Sequence, residues 1–135
     1  MLTVATYVAT STIPGAGLGL FAKEDIKAGT IIWRYDPDLD LVLYELPSEP
    51  VIRDFVLKYG YVPLDGEHRW VLCIDDGRFM NHSNMPNTYD TAEHTIAARD
   101  LPAGTELTSD YRSFCREPFT SWYSTEVAEM PAAAA

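Results

Sequence analysis

An internal repeat constrains the fold of this chain more than any other feature of its sequence. The segment DIKAGTII at residues 25–32 returns 75 positions later as DLPAGTEL at residues 100–107. In each copy an Ala-Gly pair separates two apolar stretches, which is the pattern of two strands joined by a tight turn. One repeated pair is too short an array for a solenoid. The repeat therefore predicts two similar β-units, one near each end of the chain, around a less regular middle.

Other segments add strands and one helix to this frame. β-branched and apolar residues mark strands at residues 3–10, 70–74 and 94–99. In the middle of the chain, Ser48 is placed to cap a helix that carries Pro50 in its first turn and ends at Gly60. We therefore predict a mainly β protein with one short helix in its central part.

Size and charge narrow the range of functions. The chain has 135 residues, of which 47% are hydrophobic, so one domain with a single core is expected. Its formal charge of -10 argues against a protein that grips nucleic-acid phosphates and favours a basic partner. Two cysteines and three scattered histidines form no disulfide framework and no zinc pattern. No apolar run approaches the roughly 20 residues of a membrane span, so we expect a soluble, intracellular protein.

The first motif is a run of glycines at every second position, Gly15, Gly17 and Gly19. Alternate residues without Cβ let a backbone approach a ligand closely. A dinucleotide-binding loop is excluded because no helical pattern follows the glycines, and the chain has no Gly-Lys-Ser/Thr sequence for a phosphate loop. By themselves, the glycines fit a tight turn as well as a ligand-binding loop.

Two polar motifs follow later in the chain. The segment RFMNHSNMPN at residues 78–87 concentrates hydrogen-bonding side chains, which need partners when they are buried. The segment ELTSDY at residues 106–111 places an acid beside a tyrosine, just after a predicted strand. Taken singly, the first also fits an Asx/Pro turn, and the second fits a tyrosine packed at a strand end.

The order and spacing of the three motifs resemble those of the SET-domain protein lysine methyltransferases. The resemblance covers residues 13–35 and 73–114, and it includes GLGLFA at residues 17–22 and the AGT turn at residues 28–30. It implies a β-clip fold of the SET type, with several small sheets around a pseudoknot where the Asn-His and Asp-Tyr motifs meet. Residues 36–72 would then be the variable insert of such a domain.

The resemblance also implies a site for S-adenosylmethionine and a channel for the substrate lysine. The cofactor contacts would come from Ala16, Gly17, Leu18, Gly19, Asn81, His82 and Trp122. Asn81 would receive the amino group of the cofactor, and His82 would contribute mainly backbone contacts to its adenine. Tyr111 matches the catalytic tyrosine of the family, and the lysine channel would be lined by Tyr35, Ser109 and Tyr111.

The chain departs from many members of the family at their zinc site. Asn84 stands where many relatives have a cysteine, and no cysteine triplet follows the domain. We therefore expect no metal and an aromatic lid at residues 112–125. Its aromatic residues are Phe114, Phe119, Trp122 and Tyr123. The implied division is a single SET domain at residues 1–125 and a flexible tail at residues 126–135, and a homodimer is a reasonable means of completing the substrate groove.

The chemistry that these residues predict is methyl transfer from S-adenosylmethionine to a lysine amine. The amine must first lose its proton, and at pH 7 only about one lysine in a few thousand is neutral, which corresponds to roughly 4 to 5 kcal/mol. A narrow aromatic channel and a neighbouring positive charge both lower the pKa of the lysine. The Tyr111 hydroxyl would orient the amine, and we do not assign it as an obligatory base, because the pKa of a tyrosine is near 10.

The acidic chain suits lysines in basic segments, either of a histone-like tail or of another protein, with a cytoplasmic or nuclear location. Asp36, Asp38 and Asp40 either rim the groove or form a solvated loop. Ser109 stands where an aromatic residue is common, so the channel has room for di- or trimethylated product unless the serine holds a water there. The alternative function is a catalytically weak SET-fold module that binds lysine-rich peptides, and the presence of Tyr111 counts against it.

Overall fold

The computed structural model describes residues 1–116, and within this range the chain forms nine short strands and one α-helix. The strands are β1 (Thr6–Thr10), β2 (Leu18–Ala22), β3 (Ile31–Arg34), β4 (Leu41–Leu43), β5 (Trp70–Leu72), β6 (Asn81–His82), β7 (Thr88–Asp90), β8 (His94–Ala97) and β9 (Thr108–Ser109). The helix α1 is Pro50–Tyr59, and 3-10 turns lie at Asp76–Phe79 and Tyr111–Ser113. The predicted mainly β architecture with one short helix is confirmed.

The strands form several small sheets rather than one large one. Antiparallel pairs join β1 to β2 and β4 to β5, and a three-stranded sheet has the order β3-β8-β7. The two-residue strands β6 and β9 pair in parallel. The strands predicted from composition correspond to β1, β5 and β8, whereas β6 and β9 are too short to leave any periodic pattern in the sequence.

The two copies of the repeat are bonded to each other. The backbone N–H of Ile26 donates to the carbonyl of Leu101 at 2.8 Å, and the N–H of Leu101 donates back to Ile26 at 2.7 Å. The N–H of Gly29 donates to the end of β8 at 2.8 Å, and the equivalent Gly104 donates to the end of β2 at 2.7 Å. A local two-fold axis therefore relates the two copies of the repeat, and the two predicted β-units form one structure.

Each copy also caps the turn of the other through its first residue. The carboxylate of Asp25 accepts the backbone N–H of Ala103 at 2.8 Å. The carboxylate of Asp100 accepts the N–H of Ala28 at 2.9 Å, and Lys27 lies 3.7 Å from the same carboxylate. These bonds satisfy N–H groups that the turns leave without a strand partner.

The core lies between these two units. Its buried members are Leu20, Ala22, Ile26, Ile32, Met80, Ala97, Leu101 and Leu107. Ile32 and Leu107 occupy equivalent positions of the repeat, and neither is exposed to solvent. Each such side chain stabilises the fold by about 1.5–3 kcal/mol relative to an exposed one, so the repeat supplies both the turns and the centre of the core.

The insert helix begins one residue later than the sequence predicts. Its N-cap is Glu49, not Ser48, and the Glu49 side chain makes no capping bond. The reason is Pro50, which forces the residue before it into an extended conformation and so sets the helix boundary there. Gly60 ends the helix as predicted, and Val56 is the buried residue of α1. Within residues 1–116, no helix is long and apolar enough to cross a membrane.

The two-fold turns generate a stability prediction. Gly29 and Gly104 have φ angles of +83° and +87°, and an added Cβ meets no atom closer than 4.0 Å at either position. Gly29→Ala and Gly104→Ala should therefore each lower the free energy of unfolding by about 1–2 kcal/mol through backbone strain alone. Urea denaturation at neutral pH measures both variants.

Asparagine tolerates this backbone region better than alanine, so Gly29→Asn is the matched control and should recover most of the loss. Alanine variants as stable as the wild type would show that the turns are not held in this conformation.

Candidate functional site

The parallel pairing of β6 with β9 brings the two polar motifs together. Asn81 lies opposite Thr108, and His82 lies opposite Ser109. Asn87 ties the same two segments from the other end of the loop. Its side chain donates to the carbonyl of Glu106 at 2.8 Å, and its amide oxygen accepts the N–H of Thr108 at 2.9 Å. The predicted meeting of the Asn-His and Asp-Tyr motifs is thus present in the structure.

His82 positions the tyrosine of the second motif. Its Nδ1 accepts the backbone N–H of Tyr111 at 3.0 Å, and its Nε2 lies 2.9 Å from the amide oxygen of Asn84. Burial lowers the pKa of His82, although Asn84 and Asp110, whose carboxylate lies 3.7 Å from Nδ1, oppose that shift. Because Nδ1 accepts a hydrogen bond, the ring is neutral with its proton on Nε2. The His82 side chain therefore fixes the position of the backbone at Tyr111.

The hydroxyl of Tyr111 points back to the Asn-His loop. It donates to the carbonyl of Met80 at 2.6 Å. The ring packs edge-on against His82 and Phe114, with centroid distances of 5.4 and 5.7 Å. Backbone and ring are thus both anchored, so the hydroxyl has a defined position.

The glycine-rich loop is held next to Asn81. The side-chain Nδ2 of Asn81 donates to the carbonyl of Leu18 at 2.8 Å and to Glu106 at 3.3 Å. Within residues 1–116 its amide oxygen accepts no hydrogen bond, so it can receive a further donor. Ala16 is half-buried, Gly17 and Leu18 are exposed, and an added Cβ at Gly17 meets no atom within 4 Å. The loop backbone is therefore open to a ligand.

The Glu106 carboxylate holds Ser11 and Thr12, which lead into this loop, and we call this contact the Glu106 clamp. The carboxylate accepts bonds from the hydroxyl of Ser11 at 2.7 Å and from the backbone and hydroxyl of Thr12 at 2.7 and 2.6 Å. Gly19 is buried against the same carboxylate, where any Cβ would overlap the Glu106 oxygen. Burial alone would raise the pKa of Glu106, but the bonds from Thr12, Ser11 and Asn81 outweigh it and hold the pKa below its usual value. Sequence inspection did not reveal this clamp, because its partners lie about ninety positions apart.

Tyr111 lines a cavity of about 780 Å³. All three predicted channel residues line it, namely Tyr35, Ser109 and Tyr111. The predicted cofactor residues of the glycine loop, together with Asn81 and His82, lie outside its wall, and Trp122 lies outside the described residues. Tyr111 therefore lines the cavity and is bonded to the Asn-His loop, and Asn81 of that loop is bonded to the glycine loop at Leu18.

The acidic residues after Tyr35 do not line this cavity. Asp40 is 5% exposed and accepts the backbone N–H of Asp36 at 2.9 Å, so it stabilises its own turn. The cavity wall carries cations as well as acids, at Lys58, Arg69, Arg78 and Arg116, and Arg69 is paired with Asp65 at 2.8 Å. The three acidic residues that follow Tyr35 thus lie outside the cavity wall.

Asp90 is a residue of this wall that the sequence did not single out. Its carboxylate accepts the hydroxyls of Ser109 and Thr95, each at 2.6 Å. The Ser113 hydroxyl lies 2.9 Å from it and donates to the Asp110 carbonyl at 2.6 Å. Ser109 is 2% exposed, and its hydroxyl is directed at Asp90. Only the pairing of β7 with β8 and the turn after β9 bring these four residues together, so no local pattern could indicate the cluster.

The two cysteines also line the cavity. Burial raises the pKa of Cys73 to about 12 and raises the pKa of Cys115 as well. Both are therefore neutral thiols at physiological pH and poor nucleophiles or metal ligands. In the part of the chain that the structure describes, no three His, Cys, Asp or Glu side chains cluster in a way that could hold a metal ion.

The Glu106 clamp generates a pH prediction. Glu106→Gln replaces an acceptor of several hydrogen bonds, so it should lower the free energy of unfolding at pH 7 by about 1–3 kcal/mol. Because the pKa is depressed in the folded state from 4.5, the stabilisation is present above that value and is lost as the pH falls through the folded-state pKa.

The stability gap between wild type and Glu106→Gln should therefore narrow as the pH falls below 4.5. Urea denaturation across this range measures the gap, and the exposed Glu24→Gln is the matched control. A gap that stays constant with pH would contradict the clamp.

Comparisons with known proteins agree with this geometry. The chain is 31% identical over 118 residues to the Histone H3-lysine(4) N-trimethyltransferase ATX1 of Arabidopsis thaliana. The match covers 73% of this chain and 10% of that protein. The Polycomb Repressive Complex 2 of Chaetomium thermophilum, bound to S-adenosylmethionine, matches with a TM-score of 0.64 and 25% identity over 82% of this chain and 16% of that chain. The Plasmodium falciparum protein PFL0690c shares the fold, with a TM-score of 0.57 and 21% identity over 82% of this chain and 95% of its own.

The chain thus spans about a tenth of the curated relative. The SET-domain family model matches residues 17–112. This range contains most of the glycine-rich loop, the Asn-His loop and Tyr111, and the chain therefore belongs to the SET-domain family.

Proposed function

We propose that this chain is an S-adenosylmethionine-dependent protein-lysine N-methyltransferase that acts on lysines in basic protein segments. The observation that carries the proposal is the position of Tyr111, which lines the cavity and is anchored to the Asn-His loop, while Asn81 of that loop is bonded to the open glycine loop. The names of the relatives add support, since one is a histone lysine methyltransferase and another was solved with S-adenosylmethionine bound.

The residues around Asn81 fit the cofactor. S-adenosylmethionine, when bound, supplies an electrophilic methyl group on a sulfonium. The amide oxygen of Asn81 is the acceptor that its ammonium needs, because the Nδ2 group is already used by Leu18 and Glu106. The backbone at Ala16 and Gly17 is open and leaves space for the methionine end.

The cavity side suits a lysine side chain. Tyr35 and Tyr111 offer aromatic walls for its methylene groups, and their low polarity favours the neutral amine over the ammonium. The Tyr111 hydroxyl donates its proton to the Met80 carbonyl at 2.6 Å, so both oxygens keep lone pairs that can accept the N–H groups of the amine at one point of the wall. We assign them the role of holding the amine in line with the methyl group, so that positioning lowers the barrier.

We further propose that the substrate is recognised by its positive charge. The formal charge of -10 attracts a basic segment at long range, and this contribution weakens as salt increases. Incubation of the chain with methyl-labelled cofactor and histones or other basic proteins, followed by mass spectrometry, tests the function. Labelled lysines are expected. Cofactor binding without transfer to any protein would instead favour a lysine-binding module.

The role of Asn81 generates a binding prediction. Asn81→Ala removes the acceptor for the cofactor ammonium, and a hydrogen bond to a charged group contributes about 1.5–3 kcal/mol. Cofactor affinity should therefore fall about 10- to 100-fold in titration calorimetry. Met85→Ala, at an exposed residue of the same loop, is the matched control and should bind like the wild type. Equal affinity in Asn81→Ala would remove Asn81 from the cofactor site.

The role of Tyr111 generates a kinetic prediction. Tyr111→Phe keeps the ring and its packing but removes the hydroxyl, so turnover should fall about 100-fold while cofactor affinity stays within a factor of about three. Steady-state transfer of labelled methyl groups and calorimetry give the two quantities. Tyr44→Phe, at a tyrosine that is 71% exposed, is the matched control. Full activity in Tyr111→Phe would show that the catalytic residue lies elsewhere.

A further inference from the structure

Asp90 places a negative charge in the cavity wall that also contains Tyr111. The carboxylate belongs to the same cavity as Tyr35, Ser109 and Tyr111. Both of its oxygens accept a hydrogen bond, one from the Thr95 hydroxyl and the other from the Ser109 hydroxyl. Ser113 adds a third hydroxyl 2.9 Å away, but its single proton has a closer acceptor in the Asp110 carbonyl at 2.6 Å. A carboxylate that is bonded on both oxygens is held in the wall.

The Asp90 carboxylate has acceptor positions that its hydroxyl neighbours leave unfilled. An ionised carboxylate has about four acceptor positions, and the hydroxyls of Thr95 and Ser109 use two of them. A hydroxyl can only donate to a carboxylate, so the remaining positions suit another N–H or O–H donor. Asp90 is half-buried and faces the cavity, where the donor would come from the ligand.

We propose that Asp90 accepts an N–H of the substrate lysine amine and thereby makes the chain stop at dimethyl-lysine. The inference rests on the proposed lysine methyltransferase function and deepens it. Asp90 acts as a specificity-determining residue, because its bond depends on how many hydrogens the nitrogen still carries.

The dependence follows from counting N–H groups at each step. In each transfer the nitrogen lone pair forms the new N–C bond while the C–S bond of the sulfonium breaks, which leaves a thioether and a methylated ammonium. The ammonium loses one proton to water before the next transfer. The neutral amine has two N–H groups when unmodified, one when monomethylated and none when dimethylated. Asp90 can therefore orient the first two substrates, whereas the third presents methyl groups to a half-buried charge, which costs free energy.

The bond between Ser109 and Asp90 changes which methylated product the small serine side chain predicts. A small serine leaves space in the wall, and that space alone predicts di- or trimethylated product. In the structure the Ser109 hydroxyl donates to Asp90 at 2.6 Å, so the space is bordered by a carboxylate rather than by an aromatic ring. The space beside Ser109 is large enough for the dimethylated amine. This amine has no N–H for Asp90 to accept, so its further methylation is not favoured.

Peptide binding tests the inference without relying on turnover. The probes are synthetic peptides of the histone H3 amino-terminal tail with the lysine at the fourth position mono-, di- or trimethylated, titrated into protein saturated with S-adenosylhomocysteine. The charged mono- and dimethyl forms each carry an N–H, and the trimethyl form has none. Asp90→Asn should weaken binding of the first two about tenfold and change the trimethyl affinity less than about twofold. Asp54→Asn, on the exposed face of α1, controls for the change in net charge.

Product analysis of the wild type gives a second test that needs no variant. With unmodified, monomethylated and dimethylated peptides, the third transfer should be at least about tenfold slower than the second, and exhaustive reaction should accumulate dimethyl-lysine. If another protein is labelled more strongly than histone H3, peptides around its lysine replace this series.

The outcomes separate the two proposals. Rapid accumulation of trimethyl-lysine by the wild type, or an equal loss of affinity for all three peptides in Asp90→Asn, would overturn the role of Asp90 and leave the methyltransferase function standing. Absence of transfer to any lysine would overturn both.

Discussion

The reciprocal bonding of the two repeat copies is the interaction on which the rest of the structure depends. Two backbone bonds between Ile26 and Leu101, and two aspartate caps that each hold the other copy's turn, join segments that are 75 positions apart. This junction places residues 105–107 beside β2, with the N–H of Leu107 donating to Leu20 at 2.8 Å. Everything that forms the site is attached to these two segments.

One consequence is that a single buried carboxylate connects the frame to the ligand-binding loop. Glu106 follows the second turn and meets Ser11, Thr12 and Asn81 at hydrogen-bond distance. A buried carboxylate is costly unless it is fully bonded, and here its bonds all come from elements that must be aligned. The clamp therefore couples the fold of the frame to the position of the loop, which is the arrangement that a preorganised cofactor site requires.

A second consequence is that the two sides of the site have different chemistry. The loop side presents open backbone and the amide oxygen of Asn81, which suit a charged ligand of amino-acid type. The cavity side presents aromatic rings, neutral thiols and the Asp90 carboxylate, as well as four cationic side chains. Tyr111 lines the cavity and is joined to the loop side through β6, because β6 and β9 run parallel and His82 holds its backbone. In the proposed reaction Tyr111 would lie between the two ligands, as in-line transfer between them needs.

The sequence by itself determined the parts of this protein that depend on local residue chemistry. The Ala-Gly turns, the end of α1 at Gly60, the mainly β class and the three motifs were all readable, because glycine, proline and clustered polar residues act through their own backbone. The tertiary structure decided the rest. The pairing of the repeat copies, the Glu106 clamp and the placement of Asp90 beside Ser109 join residues 19 to 95 positions apart. No spacing rule links such residues, and only the packing of the sheets brings them within hydrogen-bond distance.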